Sequence, residues 1–227
     1  ACHTAVGVKR LVGRALFVGK RGNDDLGRFF EDALVEREVE PYLMTSKHPT
    51  GRVLSIITPD AQRTMLTFLG ASASTLPGEM TPPCFADSAI VHIEGYLLFN
   101  PELMRAALEA AQNAGAMISL DLASFTVVNQ AQDMLKEIVE QYVDILIANE
   151  DEALAYTGIE NEEKALAELA RHADVAVLKL GARGSLIQQG NRITKIPPQG
   201  TRGVIDTTGA GDLWASGFLS VSYTHLT

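Results

Sequence analysis

The chain has 227 residues, of which 46% are hydrophobic and 21% charged, a composition typical of a globular protein with a sizeable core. Its net charge of −9 argues against nucleic-acid binding, because surfaces that bind phosphate backbones are normally basic. No segment approaches the run of about 18 apolar residues that a membrane helix needs. The two cysteines and five histidines are scattered without metal-ligand spacing, so we expect a reduced, cytoplasmic protein without a zinc site.

The N-terminal third begins with a helical pattern. Apolar residues at Ala5, Val8 and Leu11 follow helical spacing, and the chain starts without Met inside this pattern, which indicates a cut N-terminus. The next segments predict a strand in RALFVG and a helix in NDDLGRFFEDALVERE, with Asn23 or Asp24 as its cap.

The region 51–70 interrupts this alternation of strand and helix. Two β-rich runs flank the turn residues 59–62 in GRVLSIITPDAQRTMLTFLG, which predicts a β-hairpin outside the main sheet. We therefore divide the chain into a β-rich lid at 41–70 and a discontinuous α/β core at 1–40 and 71–227. The long apolar edges of 51–69 make the lid a candidate contact in a homodimer.

From residue 88 the alternation resumes and continues towards the C-terminus. Short apolar runs predict strands in SAIVHIEGY, AMISLDL, VDILIA and VAVLKLG, with helices predicted at 100–115, 129–142, 150–158 and 161–173, and a hairpin turning at 190–191. Continuously apolar strands between helices are typical of a mostly parallel sheet that is covered by helices. Ligands of such sheets bind at the carboxyl ends of the strands.

The heptad DTTGAGD at 206–212 combines glycines, hydroxyls and carboxylates directly before an apolar helical stretch. Gly209 and Gly211 permit close backbone approach, and the first amides of the helix would form an anion site. An aspartate beside such a site, Asp212, is suited to accepting a proton from an attacking hydroxyl. The alternative is that Asp212 simply favours the first helical turn, as acidic residues do.

Two further strand ends carry polar or glycine-rich patterns. Asn149 and Glu152 share one helix face and offer oxygen ligands for Mg²⁺ and its waters, although the same spacing is that of a capping box. The segment KLGARG lacks the first glycine of a dinucleotide fingerprint and precedes a hairpin. It is either a glycine-rich bend beside a nucleotide or a tight strand connection.

Together these motifs resemble the PfkB (ribokinase-like) carbohydrate and nucleoside kinases. DTTGAGD matches the C-terminal signature of that family, NEDE its Asn-x-x-Glu motif, KLGARG its Gly-x-x-Gly segment, and FVGKRGNDDLG its N-terminal Gly-x-x-Gly-x-Asp pattern. ACHTAVGVKRL is similar to the segment after the family's Gly-Gly hinge, with His3 in place of a common asparagine. The resemblance extends to about residue 219 and implies a three-layer α/β sandwich with a small β lid.

The resemblance also implies roles for individual residues, with ATP and Mg²⁺ as cofactors. Asp212 would be the general base. The backbone amides of Gly209, Ala210, Gly211 and Asp212 would form the anion hole. Asn149 and Glu152 would position the phosphates and, through water, Mg²⁺. Further residues would line the ATP side, namely Lys179, Gly181, Gly184 and Thr207. Substrate-binding candidates are His3, Asp24, Arg63 and Phe68, where the alternative for Arg63 and Phe68 is solubility and packing of the lid.

The lid and the segments HIEGYLLF and SLDLASF are most similar to the bacterial adenosine-kinase-like branch, which implies a small-molecule ribonucleoside as acceptor. A free furanose such as ribose or fructose is the alternative, and a non-catalytic nucleotide-binding member is a third. The family's first strand and C-terminal elements are missing, and SVSYTHLT departs from the apolar helical pattern. We therefore expect the chain as it stands to be a weak or inactive kinase.

Overall fold

A computed structural model describes residues 1–57, 63–200 and 208–225. The chain divides into two compact units, the first formed by Ala1–Glu79 with the C-terminal helix and the second by Met80–Arg202. Within the described ranges, no helix is long and apolar enough to cross a membrane.

The described residues of the first unit form two small sheets and three α-helices. Its elements are α1 (Cys2–Val12), β1 (Leu16–Gly22), α2 (Asp25–Glu36), β2 (Glu40–Ser46), β3 (Arg52–Ile57), β4 (Arg63–Phe68) and α8 (Ala210–His225). Strands β1 and β2 pair in parallel from Leu16↔Glu40 to Gly22↔Ser46. Strands β3 and β4 form a separate antiparallel pair, which confirms the strand pairing of the predicted hairpin. Its predicted turn at 59–62 lies outside the described residues. Residues 41–46 lie in β2, while the division into lid and core stays a prediction.

The second unit is a six-stranded sheet with helices between its parallel strands. Its elements are β5 (Ile90–Glu94), α3 (Pro101–Asn113), β6 (Met117–Asp121), α4 (Phe125–Gln130), α5 (Gln132–Tyr142), β7 (Ile145–Asn149), α6 (Glu150–Thr157), α7 (Glu162–Leu169), β8 (Val175–Lys179), β9 (Ser185–Gln189) and β10 (Arg192–Ile196). The strand order is β10-β9-β8-β7-β6-β5, with β5 to β8 parallel and β9 and β10 antiparallel. The predicted α/β class with a mostly parallel sheet is confirmed.

The central strands carry the core of this unit. The first four residues of both β7 and β8 are buried, as the continuous apolar runs predict for strands covered on both faces. Each of these strands becomes partly exposed at its last residue, Asn149 and Lys179 respectively. The polar side chains therefore lie at the carboxyl edge of the sheet.

Three helices differ from their predicted bounds, and one of them, predicted at 161–173, ends already at Leu169. The helix predicted at 129–142 is two helices, because the Ser124 hydroxyl accepts from the amide of Thr126 and starts α4 earlier, and Ala131 leaves helical geometry before α5. Helix α8 continues to His225, beyond the predicted end of its apolar pattern. Ser220 and Ser222 are tolerated there because each hydroxyl donates to the carbonyl four residues earlier, which satisfies a buried polar group.

Candidate active site

The candidate site of the first unit is the beginning of α8. Gly209 has a φ of 78°, a left-handed conformation that glycine adopts without strain, and its carbonyl accepts from the amide of Leu213. The amides of Ala210, Gly211 and Asp212 then fall in the first helical turn, where a helix has no carbonyl of its own to accept them. These amides and the helix dipole favour an anion at this position.

Asp212 lies in this first turn and is held by residues of α1. Its Oδ1 accepts from the Thr4 hydroxyl at 3.1 Å and lies 3.5 Å from the N-terminal amine of Ala1, while Oδ2 lies 3.3 Å from Nδ1 of His3. Burial raises the pKa of Asp212, whereas its hydrogen bonds with Thr4 and His3 lower this pKa. The carboxylate is therefore ionised at neutral pH, and a quarter of its side chain stays exposed.

The contact between α1 and α8 explains how residues 208 positions apart come together. A Cβ on Gly7 would lie 2.2 Å from Oγ and 2.6 Å from Cβ of Ser216, so the two helices approach closely only because residue 7 has no side chain. The Ser216 hydroxyl lies 3.1 Å from the carbonyl oxygen of Thr4, to which it donates. This close packing brings Thr4 and His3 to Asp212. Sequence analysis selected His3 but missed Thr4, because a threonine in a helix carries no distinguishing local signal.

The candidate site of the second unit lies at the carboxyl edge of its sheet. Asn149 and Glu152 form a complete capping box, in which the Asn149 side chain accepts from the amide of Glu152 and the Glu152 carboxylate accepts from the amide of Asn149 at 2.8 Å. The other carboxylate oxygen accepts from Asn149 Nδ2 at 2.9 Å. Burial raises the pKa of Glu152 to about 7. The hydrogen bond from the Asn149 amide and the charge of Lys179 lower this pKa, while the charges of Asp121 and Asp151 raise it further.

Lys179 ends the neighbouring strand β8 and forms an ion pair with Asp121 at the end of β6. Its Nζ lies 2.6 Å from Asp121 Oδ2, and both side chains are largely buried. The other oxygen of Asp121 accepts from the amide of Ala123, whose φ of 63° is unusual for a residue with a side chain. Sequence analysis missed Asp121, although a carboxylate at the end of the strand SLDL is the polar strand-end signal used for Asn149.

Gly181 and Gly184 shape the turn that follows β8. Both have positive φ, at 53° and 95°, and the amide of Leu180 donates to the carbonyl of Gly184 across the turn. A Cβ on Gly184 would lie 2.1 Å from the carbonyl oxygen of Ile196. The glycines are thus required by a tight connection, and a contact with nucleotide stays a prediction.

The remaining predicted residues are distributed over the first unit. Asp24 is the N-cap of α2, and its carboxylate accepts from the amides of Gly27 and Thr50. Phe68 is half-exposed at the end of β4, with the Arg52 guanidinium 5.6 Å from its ring centroid. Arg63 begins β4. Thr207 lies outside the described residues, so its predicted contact with ATP is not addressed.

The fit of Mg²⁺ depends on the oxygens that the site leaves available. In the described parts of the chain, no group of three or more His, Cys, Asp or Glu side chains is arranged to hold a metal ion. Both oxygens of Glu152 already accept hydrogen bonds from Asn149. These residues are therefore suited to water-mediated contact with Mg²⁺, which characteristically keeps several waters, and not to a cage of protein ligands.

Residues 1–225 match the model of the pfkB family of carbohydrate kinases. The chain belongs to the PfkB family. It is therefore a carbohydrate or nucleoside kinase, that is, a phosphotransferase, and the resemblance inferred from its motifs is confirmed.

Three relatives illustrate the range of this PfkB kinase's neighbours. The crystal structure of adenosine kinase from Sinorhizobium meliloti is 34% identical with a TM-score of 0.89, over 99% of this chain and 70% of that chain. A probable sugar kinase from Rhizobium etli CFN 42 is 31% identical with a TM-score of 0.91, and the match covers 99% of this chain and 69% of that chain. The fructokinase of Klebsiella pneumoniae is 29% identical over 98% of this chain and 76% of its own length. The names of the relatives thus cover both nucleoside and sugar acceptors.

Proposed function

We propose that this PfkB kinase transfers the γ-phosphate of ATP to a hydroxymethyl group of an adenosine-like ribonucleoside, with Asp212 as general base. The observation that carries the proposal is the ionised Asp212 carboxylate in the first turn of α8, next to amides that favour an anion. Kinases of the family use ATP. When bound, MgATP supplies the phosphoryl group and a cation that neutralises part of its charge.

Asp212 would first orient the acceptor hydroxyl and then take its proton. A carboxylate with a lowered pKa is a weak base, but phosphoryl transfer has a loose transition state, in which positioning and charge stabilisation supply most of the rate. Thr4 and His3 hold the carboxylate from one side and leave part of it exposed. The amides of Gly209, Ala210, Gly211 and Asp212 would stabilise the charge that develops on the transferring group.

On the nucleotide side, we propose that the Asn149–Glu152 capping box faces the waters of Mg²⁺ and that Lys179 lines the phosphates. Lys179 would do so from its ion pair with Asp121, which holds the ammonium at the strand ends. The turn at Gly181 and Gly184 would border the nucleotide. We also propose that the hairpin of β3 and β4 is a lid that covers the acceptor and excludes water.

Adenosine is our first choice of acceptor, because an adenosine kinase is 34% identical to the chain over 99% of its length. A free furanose is the second candidate, favoured by the fructokinase at 29% identity and the probable sugar kinase at 31%. ADP release from MgATP by the full-length parent protein, with adenosine, inosine, ribose and fructose compared side by side, tests this choice. Turnover with adenosine above the others is expected, and turnover with only a sugar would overturn the nucleoside assignment.

Asp212→Asn tests the mechanism independently of the acceptor. It keeps the size of the side chain but removes its basicity, so we expect turnover to fall by about 10²- to 10⁴-fold with the affinity for ATP nearly unchanged. Isothermal titration with a non-hydrolysable ATP analogue measures the affinity. An unchanged rate would remove Asp212 from the mechanism.

A further inference from the structure

The carboxylate of Asp24 is engaged within the protein on both oxygens. Oδ1 accepts from the amide of Gly27 at 2.8 Å and from the Thr50 hydroxyl, and Oδ2 accepts from the amide of Thr50 at 2.8 Å. The Gly27 bond caps α2, as an N-cap aspartate does in most helices. The two bonds from Thr50 serve no capping purpose, since Thr50 lies in a different segment, two residues before β3.

Thr50 also connects to the end of β1. Its hydroxyl oxygen accepts from the amide of Gly22 at 3.0 Å, and the residue is only 8% exposed. One buried hydroxyl thus receives a hydrogen bond from a strand end and donates one to a helix cap. We call this pair of residues, Asp24 and Thr50, the clasp.

The two chain segments at the base of the hairpin meet at the clasp. The carbonyl of Pro49 accepts from the amide of Ala71 at 2.8 Å, and a Cβ on Gly70, whose φ is 54°, would lie 2.3 Å from the same oxygen. A Cβ on Gly22 would lie 2.6 Å from the Thr50 nitrogen. We call residues 49–51 and 69–71 the hairpin root, where neighbouring backbone segments approach too closely for a side chain at residue 22 or 70.

Beyond the closely packed root, the side chains of the hairpin are exposed. All six residues of β3 are exposed, and those of β4 from Thr64 onwards are exposed too. A two-stranded hairpin is marginally stable by itself, so its position depends on how its root is held. The hydrogen bonds of the clasp tie the hairpin's N-terminal arm to the cap of α2 and the end of β1.

We infer that Asp24 and Thr50 are positioning residues, which fix the angle at which the β3–β4 hairpin leaves the first unit. Asp24 acts through Thr50 on the root and does not itself need to touch the acceptor. The consequence for catalysis rests on the proposed function: a hairpin that covers the acceptor must be held at one angle to exclude water. With the clasp broken, water competes better with the acceptor for the phosphoryl group.

Asp24→Asn separates the clasp from the helix cap. Asparagine caps helices as well as aspartate does, so α2 stays capped, but its amide nitrogen cannot accept from the backbone of Thr50. Asp25→Asn is the matched control, because Asp25 is the adjacent residue and its side chain is almost fully exposed. Thr50→Val removes the hydroxyl at nearly constant volume, and Thr50→Ser retains it.

Hydrogen exchange measured by mass spectrometry on the 227-residue chain tests the inference without any need for activity. In Asp24→Asn and Thr50→Val we expect amides of β3 and β4 to exchange about 10-fold faster or more, the size of effect that loss of a charge-assisted hydrogen bond gives. Amides of α2 should be unchanged, and Asp25→Asn and Thr50→Ser should match the wild type. Equal exchange in the hairpin of all four variants, or faster exchange throughout the unit, would overturn the inference.

The ratio of ATP hydrolysis to acceptor phosphorylation provides the second measurement. Both clasp-breaking variants should raise this ratio and the KM for the acceptor more than they lower kcat, with Thr50→Ser restoring the wild-type values. Faster hairpin exchange with an unchanged ratio would overturn the catalytic role of the clasp. Absence of turnover in the full-length wild type with every acceptor would refute the proposed function, and the exchange experiment on the 227-residue chain would still decide whether the clasp exists.

Discussion

Replacing Glu152 with glutamine should change how the stability of the protein depends on pH. Burial raises the pKa of this carboxyl from 4.5 to about 7 in the folded chain. Below the lower value, folded and unfolded chains both carry the proton. As the pH rises, the unfolded chain loses its proton first, so the free energy of unfolding decreases through this window and reaches its lower plateau above the folded pKa.

The size of this decrease follows from the shift. The interval from 4.5 to about 7, at roughly 1.4 kcal/mol per pKa unit, corresponds to about 3 kcal/mol. Glutamine does not titrate and retains a carbonyl that can accept from the amide of Asn149, so the capping box persists. The variant should therefore match the wild type within about 1 kcal/mol near pH 4 and exceed it by about 3 kcal/mol near pH 8.

Urea denaturation followed by far-UV circular dichroism, in EDTA and at a series of pH values, measures these free energies. Subtracting the free energy of unfolding of the wild type from that of Glu152→Gln at each pH cancels the effect of all titrating groups that the two proteins share. Asp151→Asn is the matched control, since Asp151 is the preceding residue in the same helical turn and is exposed. A difference between Glu152→Gln and wild type that does not change with pH would refute the reasoning, as would an equal change in the control.

Two further predictions concern packing and the ion pair of the second unit. Lys179→Met should destabilise the protein by about 3 kcal/mol because it leaves the buried Asp121 carboxylate unpaired. Adding Asp121→Asn should recover more than half of this loss in thermal unfolding, and additive losses would contradict the pairing. Gly7→Ala should cost about 1–3 kcal/mol, since its new Cβ would overlap Ser216, and should also lower turnover by displacing α1 from α8, which carries the proposed base. Gly217→Ala is its control in chemical denaturation: a Cβ there meets open space, so equal losses in both variants would contradict the packing argument.

The outcome of the sequence analysis depends on whether a feature is local or distant. The helix start at Gly209–Ala210, the Asp24 cap and the Asn149–Glu152 capping box all follow from residues within a few positions of one another. Short-range rules of capping and periodicity govern such features, so the sequence predicts them well. The end of α8 was mispredicted, because serines look unsuited to a buried helix until their hydroxyls are seen to bond to the preceding turn.

By itself, the sequence determined the family, the α/β class and the strand ends at which the chemistry-bearing residues lie, since these depend on local patterns and on a specific signature. Only the tertiary structure decided which of these residues contact one another. Thr4 and Asp212 are 208 positions apart and Lys179 and Asp121 are 58 apart, so no local pattern links either pair. Such contacts arise when helices and strands pack, and packing is set by the whole chain, here by the missing side chain of Gly7 and the parallel order of β6, β7 and β8.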